Sequence, residues 1–195
     1  MKKLLITGFE PFGGGQINSS WEAVRQLPAE IGEYTLTKLR IPVVFGEGAK
    51  TVLRAADELS PDVIICIGQE GGSDAVTPEF VGINLRHGPI PDNAGYQPTD
   101  EPIKADGENA YFSTLPVRKI VKAIKAAKIP SKVSYSAGAY VCNDVLYTLL
   151  DRYQGTKTRV GFIHLPYSAE QNKTPSMKQE DLIKALTIAI EHLDD

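Results

Sequence analysis

The segment 62–68, DVIICIG, is apolar at every position between its two ends. A strand with one buried face alternates apolar and polar residues, whereas a strand covered on both faces is apolar throughout. The segment therefore predicts a central strand of a sheet that has helices on both faces.

The rest of the chain alternates between the two kinds of element. Further strands are predicted at 3–9, 34–41, 80–85, 132–136 and 159–164, and helices at 19–27, 46–59, 116–128, 142–153 and after 174–179. Such alternation predicts an α/β fold with a central, mostly parallel sheet. A length of 195 residues fits a single domain, 1–195.

Two helix starts are predicted from serine residues. The run 19–22, SSWE, has the spacing of a capping box, and Ser176 is expected to cap the last helix. Leu182, Leu186 and Ile190 then form the buried stripe of that helix.

Charge and cysteine content exclude several classes of protein. A formal net charge of -3 gives no basic surface for nucleic acid. The apolar run of the N-terminus, MKKLLITGF, meets Glu10 and Pro11 too early for a signal peptide or a membrane span. We therefore expect a cytoplasmic protein with no nucleic-acid or membrane partner, in which both cysteines, Cys66 and Cys142, are free thiols.

Several unusual features fall where strands are predicted to end. In an open α/β sheet, binding sites gather beyond the carboxyl ends of the strands. The features are the glycine-rich turn 8–15, the pair Gly68-Gln69, the proline-rich segment 69–106, Cys142 and His164. Their convergence predicts one functional cleft at this edge.

Cys142 opens a predicted helix after a small, glycine-containing turn, YSAGAY. The free amides and positive dipole end of a helix start favour a thiolate, although a packed structural thiol is the alternative. His164 ends an apolar strand. It is either the general base that acts with Cys142 or a structural histidine. Glu79 is the preferred orienting carboxylate, with a solvated loop glutamate as the alternative. Asp144 is expected only to complement the helix dipole, and Cys66 to lie in the core.

The turn GFEPFGGG, 8–15, is not a phosphate loop, because it lacks both the Lys-Ser/Thr pair and the GxGxxG spacing. A nucleotide-binding α/β module is a further hypothesis for the chain, and the glycines of this turn are its sole support. Phe9 and Phe12 are candidates for walls of a pocket that holds a small flat ring, with packing on the adjacent helix as the alternative. No cluster has metal-ligand spacing, so neither a metal nor another cofactor is expected.

Together these segments resemble the pyroglutamyl peptidase I family, also called pyrrolidone carboxyl peptidases, over essentially the whole chain. The matching motifs are TGFEPFGG (7–14), INSSWEAV (17–24), GQEGG (68–72), VTPEFVGIN (76–84), IPDNAG (90–95), AYFSTLPV (110–117), SYSAGAYVCN (134–143), GFIHLPY (161–167) and TPSM (174–177). The resemblance implies a cysteine exopeptidase that removes N-terminal pyroglutamyl (5-oxoproline) residues from small peptides.

The resemblance also assigns roles and an assembly. Its nucleophile, base and orienting carboxylate fall on Cys142, His164 and Glu79. Phe9 and Phe12 would hold the lactam ring, and Asn18 and Gln69 would lie near the substrate or the oxyanion. The implied fold is a three-layer α/β/α sandwich with a twisted, mixed sheet, forming homotetramers, or dimers, in the cytoplasm.

Four positions depart from the family pattern. Ser73, Phe80 and Pro89 stand where arginines are common, and Tyr135 replaces a usual asparagine. The three missing arginines leave a second function open, namely a weakly active or inactive relative that binds a small ligand without efficient cleavage.

Overall fold

The computed structural model describes residues 1–194. The first half of the chain forms β1 (Lys2–Phe9), α1 (Ser19–Gln26), β2 (Glu30–Ile31), β3 (Tyr34–Ile41), α2 (Glu47–Leu59), β4 (Val63–Gln69), β5 (Thr77–Pro78) and β6 (Val81–Ile83). The second half forms β7 (Ala110–Phe112), α3 (Val117–Ala126), α4 (Val141–Arg152), β8 (Arg159–Leu165), β9 (Tyr167–Ser168), a 3-10 turn (Ala169–Gln171), β10 (Ser176–Met177) and α5 (Gln179–Glu191).

The main sheet is mixed and mostly parallel, as predicted. Its six strands lie in the order β2-β3-β1-β4-β8-β5. The central strands β3, β1, β4 and β8 are parallel to one another, while β2 and β5 run antiparallel at the two edges. The carboxyl ends of β1, β4 and β8 therefore meet at one edge of the sheet.

Helices cover both faces of this sheet, which confirms the prediction from the segment 62–68. Alternate residues of β1 point to opposite sides, so that Leu4 packs with α1, α3 and α5, whereas Leu5 packs with α2 and α4. Strand β4 divides in the same way, with Ile65 on the first side and Cys66 on the second. The architecture is the expected α/β/α sandwich.

The two capping residues predicted from serines are wrong, by one position at α1 and by two at α5, where Lys178 precedes the helix. Asn18 caps α1, because its side chain accepts a hydrogen bond from the Ser20 amide. Helix α5 begins only at Gln179, since Ser176 and Met177 are extended and pair in parallel with β9. The predicted buried stripe of α5 is confirmed.

The strand predicted at 132–136 is also wrong. The chain there runs beside β5, but only isolated bridges form, at Ser131 and Ser134. The amides of Lys132 and Ser134 donate to the carbonyls of Val76 and Pro78. Because proline has no N–H group, Pro78 cannot return a hydrogen bond, and the ladder is interrupted. Strand β5 itself, which begins two residues before Glu79, is missing from the sequence prediction.

The helices are short by the standard of membrane spans. The longest in the described part of the chain, α2 and α5, have 13 residues each, whereas a span needs about 20 apolar residues. Within residues 1–194, no helix has the length and apolar character needed to cross a membrane.

Candidate active site

Cys142 is the second residue of α4, as predicted, and its side chain is half-buried. The residue before the helix, Tyr140, supplies no side-chain hydrogen bond to the first turn. Its carbonyl accepts from the Asp144 amide instead. The helix start therefore presents backbone N–H groups and the positive end of its dipole without a capping side chain, a setting that favours a thiolate.

Two buried side chains hold this first turn in place. Asn143 accepts a hydrogen bond from the amide of Ile83 and donates to the carbonyl of the same residue, each at 2.9 Å. Asp144 accepts from the Nε of Arg86 at 2.5 Å and from the amide of Gly46 at 2.8 Å. The prediction that Asp144 only complements the dipole is therefore wrong, because its carboxylate is fully buried in an ion pair.

Glu79 and His164 form a buried hydrogen-bonded pair. The Oε1 atom of Glu79 lies 2.7 Å from the Nδ1 atom of His164, and the side chains are only 1% and 7% exposed. Because a carboxylate can only accept, Nδ1 carries the hydrogen and Nε2 remains for another partner. The alternative of a solvated loop glutamate is wrong. The Oε2 atom of Glu79 is buried and has no hydrogen-bond partner among residues 1–194.

The imidazole of His164 also interacts with Cys142. Burial alone would lower the pKa of His164, but the charge and hydrogen bond of the Cys142 sulfur, together with those of Glu79, outweigh it and raise the pKa to about 10. At neutral pH the imidazole ring is therefore protonated. Glu79 holds its Nδ1 side, and the interaction with Cys142 links the ring to the start of α4.

The second cysteine has the opposite character. Cys66 is completely buried in β4, as predicted. Burial raises the pKa of its thiol to about 12. A neutral, enclosed thiol is unreactive, so only Cys142 is suited to nucleophilic chemistry.

A narrow pocket opens beside Cys142 and encloses about 230 Å³ of empty space, including its mouth. Its walls are Phe9, Phe12, Asn18, Val43, Gln69, Tyr140, Val141 and Cys142. All four residues predicted to bind substrate are thus placed around one pocket with the sulfur. Sequence reasoning missed Tyr140, whose position two residues before Cys142 was the available signal.

The two phenylalanines contribute to the pocket in different ways. Phe9 is almost fully buried, with its ring centroid 6.2 Å from that of Phe162, so it belongs to the core as well as to the pocket. Phe12 is half-buried, and its ring centroid lies 6.2 Å from that of Tyr140. Phe9 therefore lines the pocket and packs in the core at the same time.

Asn18 and Gln69 each use part of their polar groups to hold the backbone. The Nδ2 atom of Asn18 donates to the carbonyl of Glu10, which fixes the glycine-rich turn to the start of α1. The Oε1 atom of Gln69 accepts from the amide of Ser19 at 2.9 Å. Both amide side chains therefore have fixed positions at the pocket.

None of the four residues that depart from the family pattern lines the pocket. Ser73 is buried and donates to the carbonyl of Ala75, while Pro89 is exposed. The ring of Phe80 packs against that of Tyr135 at 5.7 Å, under the guanidinium of Arg118. Two departures are thus in contact with each other, and neither removes a group from the pocket.

The described residues contain no candidate metal centre. Within 1–194, no three or more histidine, cysteine, aspartate and glutamate side chains are grouped so that they could hold a metal ion. Glu79 and His164, which could each be ligands, are paired with each other.

Comparison with known proteins agrees with this geometry. The family model for pyroglutamyl peptidase matches residues 2–194. Pyrrolidone-carboxylate peptidases of Lactobacillus johnsonii and Thermococcus onnurineus are 47% and 48% identical to this chain, with 96% of it covered in each case and 90% and 96% of the relatives.

Solved structures give the same result. Pyroglutamyl peptidase I of Bacillus amyloliquefaciens superposes with a TM-score of 0.94 at 44% identity, covering 99% of this chain and 97% of that one. Pyrrolidone carboxyl peptidase of Thermococcus litoralis has a TM-score of 0.94 at 38% identity, with coverage of 99% and 93%. The chain therefore belongs to the pyroglutamyl peptidase family and is an enzyme of the pyroglutamyl peptidase I type.

Proposed function

We propose that the protein is a cysteine exopeptidase that removes an N-terminal pyroglutamyl (5-oxoproline) residue from peptides. Cys142 is the nucleophile, His164 the general acid and base, and Glu79 the carboxylate that orients the imidazole. The observation that carries this proposal is the buried pair of Glu79 and His164, joined at 2.7 Å, whose imidazole also interacts with the sulfur at the start of α4. Family membership supplies the substrate class.

In the first step, the Cys142 thiolate attacks the carbonyl carbon that links the pyroglutamyl ring to the next residue. A C–S bond forms, and the carbonyl electron pair moves onto oxygen. When the carbonyl re-forms, the C–N bond breaks and the proton on Nε2 of His164 passes to the leaving amine. The products of this step are a shortened peptide and a thioester on Cys142.

In the second step, water hydrolyses the thioester. His164, now neutral, takes a proton from the water through Nε2 while the oxygen attacks the carbonyl carbon. The C–S bond breaks, 5-oxoproline leaves, and the thiolate and imidazolium are restored. Glu79 stabilises the charged ring in both steps and keeps Nε2 directed at the reaction.

The negative oxygen formed in each step needs hydrogen-bond donors. The first-turn amides of α4 have no capping side chain and lie next to the sulfur. With the Nε2 group of Gln69 on the pocket wall, they form a suitable oxyanion site. A single donor of this kind contributes about 3 kcal/mol in well-studied enzymes.

The pocket has the polarity that a lactam ring requires. A pyroglutamyl ring is uncharged, with apolar faces and a polar amide edge. Phe9, Phe12 and Tyr140 supply aromatic walls, while Asn18 and Gln69 supply polar groups. Because a pocket that hydrogen-bonds its substrate discriminates strongly against analogues lacking the bonding group, we expect rejection of prolyl peptides.

We also propose that the enzyme works in the cytoplasm as a homo-oligomer, a tetramer or a dimer. Family resemblance is the support for this assignment. Light scattering on the purified protein measures the mass directly, and a monomer at micromolar concentration would contradict the assembly.

The decisive experiment compares hydrolysis of a pyroglutamyl chromogenic amide with that of the matching prolyl amide. We expect turnover of the first alone, its loss in Cys142→Ser, and its loss after treatment with iodoacetamide. Normal turnover by Cys142→Ser would exclude the thiol mechanism. Binding of the amide without hydrolysis by the unmodified protein would favour the inactive relative.

A further inference from the structure

The amide orientation of Gln69 is fixed by groups whose roles are unambiguous. Its Oε1 atom lies 2.9 Å from the backbone nitrogen of Ser19, which can only donate. The atom at this position must therefore be oxygen, and the NH₂ group must occupy the other branch. Within residues 1–194, no hydrogen bond of Gln69 Nε2 to the protein is found, so its N–H groups are available to the pocket that Gln69 lines.

Gln171 adds a second donor to the same oxygen. Its Nε2 atom lies 2.9 Å from Oε1 of Gln69, and its own Oε1 accepts from the amide of Ser168 at 2.9 Å. The Nε2 atom is also 3.3 Å from the carbonyl of Ile17, which can only accept. A backbone donor on one side and a backbone acceptor on the other leave Gln171 a single orientation.

We propose that Gln171 is a positioning residue that locks the Gln69 amide with its N–H groups toward the pocket. The site is thereby built to bind a carbonyl oxygen of the substrate rather than a hydrogen-bond donor. This inference rests on the proposed function for the identity of that substrate. It adds a residue 102 positions from Gln69 that makes no direct contact with the pocket.

Two donor-to-donor contacts exclude the opposite orientation of the Gln69 side-chain amide. If the amide turned over, its NH₂ group would face the Ser19 amide and the NH₂ group of Gln171, and both contacts would join donor to donor. Removing the Gln171 donor leaves only the Ser19 amide to resist this rotation. Replacing it with an acceptor actively favours the rotation, because the NH₂ group of Gln69 then gains a partner at position 171.

The test compares Gln171→Glu with Gln171→Met. The first substitution keeps an acceptor for the Ser168 amide but replaces the donor that faces Gln69 with a carboxylate oxygen. The second removes both groups. We expect kcat/KM for a pyroglutamyl amide to fall about tenfold or more in Gln171→Glu and less in Gln171→Met. A purely structural role, in which Gln171 only supports Ser168, predicts the reverse order and would overturn the proposal.

A double-mutant cycle separates positioning from the added negative charge. In a Gln69→Leu background, Gln171→Glu should cause no further loss of kcat/KM, because there is no amide left to orient. A loss of equal size in both backgrounds would show that the charge acts elsewhere and would refute the inference. Gln154→Glu is the matched control, since Gln154 is exposed and its side chain, within residues 1–194, donates to the carbonyl of Leu150 alone.

The separate effects of the Gln171 variants on kcat and on KM show which oxygen of the substrate the Gln69 N–H groups bind. Contact with the lactam carbonyl affects binding and so raises KM, whereas contact with the oxyanion lowers kcat. Either pattern supports the proposal, provided that the order of the two variants holds.

A binding measurement keeps the inference independent of catalysis. Calorimetry with 5-oxoprolinamide, an uncharged ligand that contains both carbonyls, requires no turnover. If the unmodified protein binds this ligand but does not cleave peptides, the proposed function fails while the Gln171 variants still report on orientation. Equal affinity of Gln171→Glu and the unmodified protein, where cleavage is also equal, would refute the positioning role.

Discussion

The side chains of Glu79 and His164 meet because β5 runs antiparallel to β8 with Thr77 opposite His164. Continuing this register places Glu79 opposite Phe162, to whose carbonyl its amide donates. Glu79 is therefore a diagonal neighbour of His164 on the same face of the sheet, within reach of a long side chain. The sheet register, rather than a loop, sets the 2.7 Å distance between the carboxylate and the imidazole.

The first prediction concerns Glu79→Gln. The amide can still accept from Nδ1 but lacks the negative charge that helps to raise the pKa of His164. We expect kcat/KM for a pyroglutamyl amide to fall roughly a hundredfold yet stay measurable, because a misoriented base costs less than a missing nucleophile. Glu58→Gln, at an exposed position on α2, serves as the control. An unchanged rate would remove Glu79 from the catalytic group.

The second prediction concerns pH and stability. The pKa of His164 is raised from 6.5 to about 10 in the folded protein, so the folded state holds this proton more tightly than the unfolded state. Its contribution to the free energy of unfolding is complete below about pH 6.5 and is lost as the pH rises toward 10. Urea denaturation between pH 6 and 9 measures the slope. We expect a shallower slope in Cys142→Ala, and identical slopes would contradict the coupling.

The third prediction concerns thiol reactivity. Cys142 is accessible at a helix start, whereas Cys66 is completely buried with a pKa raised to about 12. Iodoacetamide should therefore add one group per native chain, at Cys142, and a second only after denaturation. Peptide mass spectrometry identifies the modified residue. Modification of Cys66 in the native protein at a comparable rate would show that its thiol in β4 is accessible to the reagent, contrary to the structure.

The fourth prediction concerns Gly68, which lies beside His164 in the register of β4 and β8. A Cβ atom there would lie 2.7 Å from the Phe162 ring and 2.8 Å from Cδ2 of His164. We expect Gly68→Ala to lower the free energy of unfolding by about 1–3 kcal/mol and to reduce kcat, because the imidazole must move.

Gly155→Ala is the control for this substitution. Gly155 has a φ of +70° and open space around it, so alanine strains the backbone without touching another group. Stability should fall by about 1 kcal/mol while kcat is unchanged. Full activity of Gly68→Ala would mean that the His164 ring does not depend on this close approach.

The fifth prediction concerns the buried ion pair of Asp144 and Arg86. Asp144→Ala leaves the guanidinium and the Gly46 amide without their shared acceptor. We expect a loss of about 3 kcal/mol in the free energy of unfolding. Asp57→Ala, which breaks an exposed contact with Arg152 at 3.8 Å, should cost less than about 1 kcal/mol. Equal losses in chemical denaturation would contradict the structural role of Asp144.

Features that repeat over many residues were predictable from the sequence. Strands β1, β3, β4 and β8 are long apolar or alternating runs, and each lies within two residues of its predicted bounds. Cys142 and His164 were found for a related reason, since each stands at the end of such an element. The placement of a residue relative to a strong pattern is information that a single sequence contains.

Features that depend on one contact were not predictable. The chain at 132–136 has the composition of a strand, but a proline on the neighbouring segment interrupts its ladder. Asn18 and Ser19 are both good capping residues, and only the backbone geometry selects Asn18. Gln171 ends a short 3-10 turn in a polar segment, and its proposed role arises only when folding brings it to Gln69.

The uncapped start of α4 sets a limit on how far this protein can be stabilised by engineering. Aspartate or serine in place of Tyr140 would normally strengthen a helix by about 1 kcal/mol. Here the new oxygen would occupy the amides that we propose bind the oxyanion, and the substitution would also remove an aromatic wall of the pocket. A variant made more thermostable in this way would lose activity, because the capping side chain would block the amides at the start of α4.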